Sequence, residues 1–109
     1  MKLHLALIAA GLVVAGSALG QAKVDAKAAE ALAQKSGCTA CHNVDKKIIG
    51  PAYKDVAAKY KADKDAEKKL TAKVKAGGSG VWGPIPMPPN AQVSDADLHT
   101  MTTWILGLK

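Results

Sequence analysis

Cys38, Thr39, Ala40, Cys41 and His42 bring together the chain's only two cysteines and an imidazole. Three chemistries suit that order. A redox dithiol would need a preceding strand in a βαβ setting, and no strand pattern precedes it. A zinc centre would take two thiolates and one imidazole and then need a fourth ligand. Beyond residues 1–20, His99 is the only other histidine, and there is no second cysteine pair. C-x-x-C-H is also the attachment signature for c-type haem. Both thiols add across the haem vinyl groups, whose separation the two-residue spacer matches, and the next histidine lies beneath the iron as an axial ligand. This third reading needs no residue that the sequence lacks.

The chemistry of such an iron depends on its other face. An open position permits ligand binding or peroxide chemistry, whereas a filled one leaves electron transfer. Met87, Met101 and His99 are the candidates. Met101 falls on an apolar stripe, where methionine is usually core filler. His99 neighbours that stripe on a side expected to face water. Met87 stands among Pro84, Pro86, Pro88 and Pro89, which fix φ and remove backbone donors. A soft thioether held in so stiff a loop suits iron, favours the ferrous state and raises the potential. The expected axial pair is therefore His42 and Met87.

These groups must be positioned by a small chain. The sequence has 109 residues with net charge +6, and every basic residue is lysine. There is no Phe, and the aromatic rings are Tyr53, Tyr60, Trp82 and Trp104. Domains this small are marginal without a staple or ligand, so a large apolar disc would supply core that these side chains cannot. Periodicity predicts helices and no strand. The first has Asp25 as N-cap, an apolar stripe of Ala28, Ala31 and Leu32, and Gly37 as its stop. A second begins near Tyr53 after the Gly50-Pro51 turn. A third carries Leu70 and Val74 and ends at Gly77-Gly78. The last opens at Ser94, with Asp97 three residues on, and presents Leu98, Met101, Ile105 and Leu108. Between the last two runs a Gly- and Pro-rich stretch that cannot be helix interior.

Residues 1–20 read as an export signal: Lys2, an apolar run from Leu5 to Val14, then small residues, with cleavage after Gly20 or Ala22. The apolar run is short for a span, which needs about 20 residues. Residues 21–109 are then one exported domain, with the periplasm as the expected compartment and no stable membrane insertion after cleavage.

"GCTACHNVDKKIIGPAYKDVAAKY" and "GGSGVWGPIPMPPNAQVSDADL" resemble the small bacterial class I cytochromes c of the c-551 type. The likeness implies an all-α fold of about four to five short helices packed around one covalently bound haem c and its iron. It implies that first and last helices cross and that one haem edge is exposed. By similarity, Pro51 offers its carbonyl to the Nδ1–H of His42. Asn90 is the amide beside the methionine sulfur, and Trp82 bonds a haem propionate. Lys73 stands near the propionates where relatives often have arginine, keeping the charge without the planar fork. Ala33 and Tyr60 stand where relatives often have phenylalanine, and one residue near Gln92 looks inserted.

The function implied is a periplasmic one-electron carrier, not an enzyme, and a monomer. Its partners would be redox proteins: nitrite reductase, terminal oxidases, a quinol-oxidising complex or small copper proteins. Lys35, Lys46, Lys47 and Lys54 flank the haem segment and could steer acidic partners. Nucleic acid is not expected, since an exported chain without a recognition motif has no use for it. The alternative is a labile sixth ligand, which would make the domain a gas sensor or a peroxide or nitrogen-oxide reductase.

Overall fold

The structure, a computed structural model, describes residues 24–109; the expected export signal over residues 1–20 lies outside them. Four α-helices and one short 3₁₀ turn make up the regular structure of these residues. None of the helices is long and apolar enough to cross a membrane.

Helix α1 spans Ala26–Lys35. Asp25 Oδ1 accepts the Lys27 N–H at 3.0 Å, which relieves one of the unpaired donors of the first turn. At the other end the Ser36 and Gly37 N–H groups return to Leu32 and Gln34 carbonyls, and Gly37 turns the chain away at φ 79°. The buried face is Ala29 and Ala33 with Leu32 half-buried beside them, while Ala28 and Ala31 are exposed. The expected stripe was thus displaced by one position. An alanine-rich helix has little contrast between its faces, so its rotation is decided by what it packs on.

The 3₁₀ turn Cys38–Ala40 follows at once. Helix α2 (Tyr53–Tyr60) begins directly after Pro51 and Ala52, and helix α3 spans Ala66–Ala76. Helix α4 (Asp95–Leu106) opens with Ser94 Oγ accepting the Asp97 N–H at 3.2 Å. It packs on each of the other three helices and so forms the spine of the domain. Leu98 has no exposed surface, and burial of such a side chain stabilises by about 1.5–3 kcal/mol. Thr102 is buried as well, and its hydroxyl is satisfied by donating to the Leu98 carbonyl at 2.8 Å. Met101 and Trp104 are also buried, Ile105 and Leu108 are half-buried, and Leu108 lies beyond the helix end.

The apolar interior is divided. One cluster joins Ala33, Val93, Leu98 and Met101, and the other joins Ala29, Tyr53 and Trp104. Both are small and rich in alanine. Between α2, α3, α4 and the loop after α3 lies a wide cleft that side chains do not fill. Non-helical pairing among the described residues is confined to two isolated bridges, His42 with Lys47 and Gly78 with Met87.

Candidate functional site

The cysteine segment is wound tightly by its own backbone. His42 N–H and Cys41 N–H both donate to the Cys38 carbonyl, at 2.9 and 3.2 Å. Cys38, Cys41 and His42 are all half-buried along one wall of the cleft. The Gly50 N–H closes the intervening loop on the Cys41 carbonyl at 2.8 Å. The next residue then meets the imidazole: His42 Nδ1 lies 2.8 Å from the Pro51 carbonyl oxygen. A carbonyl can only accept, so the proton sits on Nδ1 and the lone pair on Nε2. That is the tautomer in which imidazole can bind a metal through Nε2.

Two further groups set the plane of the ring. Tyr53 stacks on it, with centroids 5.2 Å apart and planes at 20°, and Trp104 braces Tyr53 edge-on at 5.6 Å and 74°. Gly50 packs so closely that a Cβ there would lie 2.5 Å from His42 Cε1. Burial pushes the Tyr53 phenol far above its ordinary range, with Cys38 adding to the shift, so the ring stays neutral at any ordinary pH. In the sequence Gly50 is legible only as part of a turn and Tyr53 only as a helix start, neither as part of the site. The available signal was composition: with only four large aromatic rings, any that is buried near a cofactor segment is apt to shape the site.

The opposite wall comes from the loop after α3. Met87 is half-buried there, and its backbone pairs with Gly78 through two reciprocal bonds of 2.9 Å. Trp82 lines the same cleft but is 42% exposed, with Lys59 Nζ lying 5.5 Å from its ring centroid. Lys73, on α3, also reaches the lining. Leu70, Val74, Leu98, Met101 and Ile105 complete an apolar floor. Of the eight residues expected at the site, only Asn90 does not line the cleft. Its side-chain amide donates to the Pro88 carbonyl at 3.0 Å, and its N–H donates to the Val74 carbonyl at 2.9 Å. His99 is exposed on α4, against Glu67.

Open mouth included, the cleft spans about 1400 Å³ and is lined mainly by apolar side chains. Its chemistry separates the three readings of the cysteine pair. Burial pushes the Cys38 thiol up, with Cys41 adding and a backbone hydrogen bond opposing, whereas a redox dithiol needs a lowered, accessible thiol. Among the described residues no cluster of three or more His, Cys, Asp or Glu side chains is placed to hold a metal by itself. Two thiols, an imidazole with its lone pair on Nε2, and a broad apolar cleft are what a covalently held haem requires.

The chain belongs to the cytochrome c family, whose sequence pattern it matches over residues 26–109, and within it to the small class I cytochromes of the c-551 type. It is 65% identical over 77 residues to cytochrome c-551 of Allochromatium vinosum, a match spanning 71% of this chain and 82% of that protein. It is 54% identical over 101 residues to cytochrome c-552 of Nitrosomonas europaea, spanning 93% and 90% respectively. The crystal structure of wild-type Nitrosomonas europaea cytochrome c552 superposes with a TM-score of 0.70 at 56% identity, covering 73% of this chain and 99% of that one. The cofactor is accordingly one covalently bound haem c with its iron, and the activity is electron transfer rather than conversion of a substrate. The all-α expectation holds, with four helices and no strand among the described residues.

Proposed function

We propose that this protein is a periplasmic one-electron carrier whose haem is held by thioethers from Cys38 and Cys41, with His42 and Met87 as its axial ligands. The observation that carries the reading is that these four side chains line one apolar cleft, with the His42 imidazole oriented by the Pro51 carbonyl. The bound haem supplies one-electron exchange between ferric and ferrous iron. The chain's own part is to keep the geometry constant while that happens. Pro51, Gly50 and Tyr53 hold the imidazole in one plane, and the apolar floor excludes water. Met87 supplies a neutral, soft donor that favours the reduced state.

Trp82 and Lys73, by similarity, face the propionates. Their placement on the cleft wall supports that role, as does the indole N–H and ammonium chemistry of the two side chains. Asn90 is the amide beside the methionine, and its bonds to Pro88 and Val74 steady the loop on which Met87 rides. Residues 1–20 would direct export and be removed after Gly20 or Ala22, leaving a monomeric domain over residues 21–109.

Ile49, Val81, Trp82 and Ile85 are exposed at the mouth of the cleft, where an electron would leave. Lysines around this mouth would steer acidic partners, which include nitrite reductase, terminal oxidases, a quinol-oxidising complex and small copper proteins. Lys54 is partly neutralised by Asp45, so Lys46 and Lys47 carry more of that steering.

The test is the near-infrared spectrum of the ferric protein, before and after Met87→Ala. The expected result is a thioether-to-iron band that the substitution abolishes, together with slow carbon monoxide binding to the reduced wild-type protein. A wild-type spectrum without that band, or immediate carbon monoxide binding, would transfer the protein to the open-iron class.

A further inference from the structure

We propose that Gly77 is the positioning residue for Met87, setting how close the sulfur-bearing loop comes to the iron; this rests on the reading of Met87 as an axial ligand. Gly77 caps α3 with φ 69° and ψ −164°, a backbone conformation essentially restricted to glycine. A Cβ built on it would strike the Met87 carbonyl oxygen and lie 2.8 Å from Pro89 N and 2.9 Å from Pro88 C. All three are backbone atoms, so no side-chain rotation makes room.

The contact is also where the loop is sewn to the helix. The Gly78 N–H donates to the Met87 carbonyl and the Met87 N–H donates to the Gly78 carbonyl, both at 2.9 Å. A methyl group at Gly77 would push the Met87 carbonyl away and break the first of these bonds. Pro88 and Pro89 fix φ at the next two positions, so the displacement cannot be absorbed downstream and falls on Met87 itself. The thioether side chain is flexible, but it would then have to reach from a displaced backbone.

Positive φ alone does not account for Gly77. Gly80 and Gly83, in the same loop, have φ 110° and 118°, yet a Cβ at either would meet nothing within 4 Å. They provide backbone strain without collision, and so separate a general loss of stability from a specific loss of the sulfur.

The experiment compares Gly77→Ala, Gly80→Ala, Gly83→Ala and Met87→Ala as mature haem proteins. Readouts are the near-infrared thioether band and the affinity of the ferric protein for added imidazole. Gly77→Ala is expected to weaken the band and tighten imidazole binding about tenfold, as release of one strained contact implies. Gly80→Ala and Gly83→Ala should leave both within about twofold of wild type, whatever they cost in melting temperature. A Gly77→Ala protein indistinguishable from Gly80→Ala overturns the proposal while leaving the ligand assignment intact. A Met87→Ala protein that keeps the band removes the assignment itself, and the positioning role with it. If Gly77→Ala does not mature, hydrogen exchange of the wild-type protein decides. The Gly78 and Met87 amides must then be protected together, and exchange at the rate of an unstructured peptide overturns the proposal.

Discussion

The two walls of the cleft hold their ligands by different means. On the histidine side, Cys38 to Tyr53 is a short, self-bonded segment: a 3₁₀ turn, a loop closed by Gly50 on Cys41, and an imidazole fixed by Pro51 and stacked on Tyr53. That segment leads straight into α2, which packs on α4. On the methionine side, the loop between α3 and α4 is largely exposed from Gly78 to Gln92. It is held by the Gly78–Met87 pair, the Gly80 N–H to the Gly83 carbonyl, the Asn90 N–H to Val74, and Lys59 against Trp82. The imidazole belongs to the folded core, and the sulfur belongs to a flap stiffened by prolines. Regions with few buried contacts open first. The sulfur is therefore expected to be the ligand that leaves before the protein unfolds.

Substitutions on each side break or sharpen that contrast. The largest effect is expected from Cys38→Ser combined with Cys41→Ser, which removes covalent attachment. With two small buried clusters among the described residues, the chain without its haem should be largely unfolded, as far-ultraviolet circular dichroism would show; native helix content would refute this. On the histidine side, Gly50→Ala places a Cβ 2.5 Å from His42 Cε1. Overpacking of this kind costs about 1–3 kcal/mol, and chemical denaturation should register it as a lower midpoint for the whole domain. On the methionine side, Lys59→Gln removes the cation over Trp82. The loss should be about 0.5–1 kcal/mol, visible as faster exchange of loop amides with little change in the global midpoint. If Lys59→Gln lowered the midpoint as much as Gly50→Ala, the two walls would not differ as described.

The smallest effect concerns a surface pair remote from both walls. The Asp63 carboxyl is held below its ordinary range, first by the Lys69 ammonium and then by the Asp65 N–H. Because the folded value is depressed, Asp63 contributes stability above the ordinary carboxylate range and loses it as pH falls through the lowered value. Asp63→Asn should remove that part of the acid dependence of the melting temperature. The pair lies at the surface, with Lys69 exposed and Asp63 partly so, and the change should be slight.

How much of this was legible beforehand depended on the range of the interaction. C-x-x-C-H, the proline-flanked Met87, the Asp25 and Ser94 caps and the Gly37 and Gly77 stops are local signals, and helix boundaries followed them closely. The rotation of α1 did not, because Ala28, Ala29, Ala31 and Ala33 are nearly equivalent until Trp104 and Leu98 choose among them. Tyr53 over His42 was likewise invisible, since stacking depends on where α2 starts relative to a histidine eleven residues earlier. Asn90 carried a family role, yet its bonds to Pro88 and Val74 emerge only when the loop is folded back on α3.

The amino-acid sequence by itself determined the cofactor chemistry, the ligand candidates and the helical class, because attachment, capping and periodicity act over a few bonded neighbours. Only the tertiary structure decided which alanines are buried, what braces the imidazole and how closely Gly77 lets Met87 approach. Those are contacts that capping and periodicity do not specify, set by close packing and not by any residue's own preference.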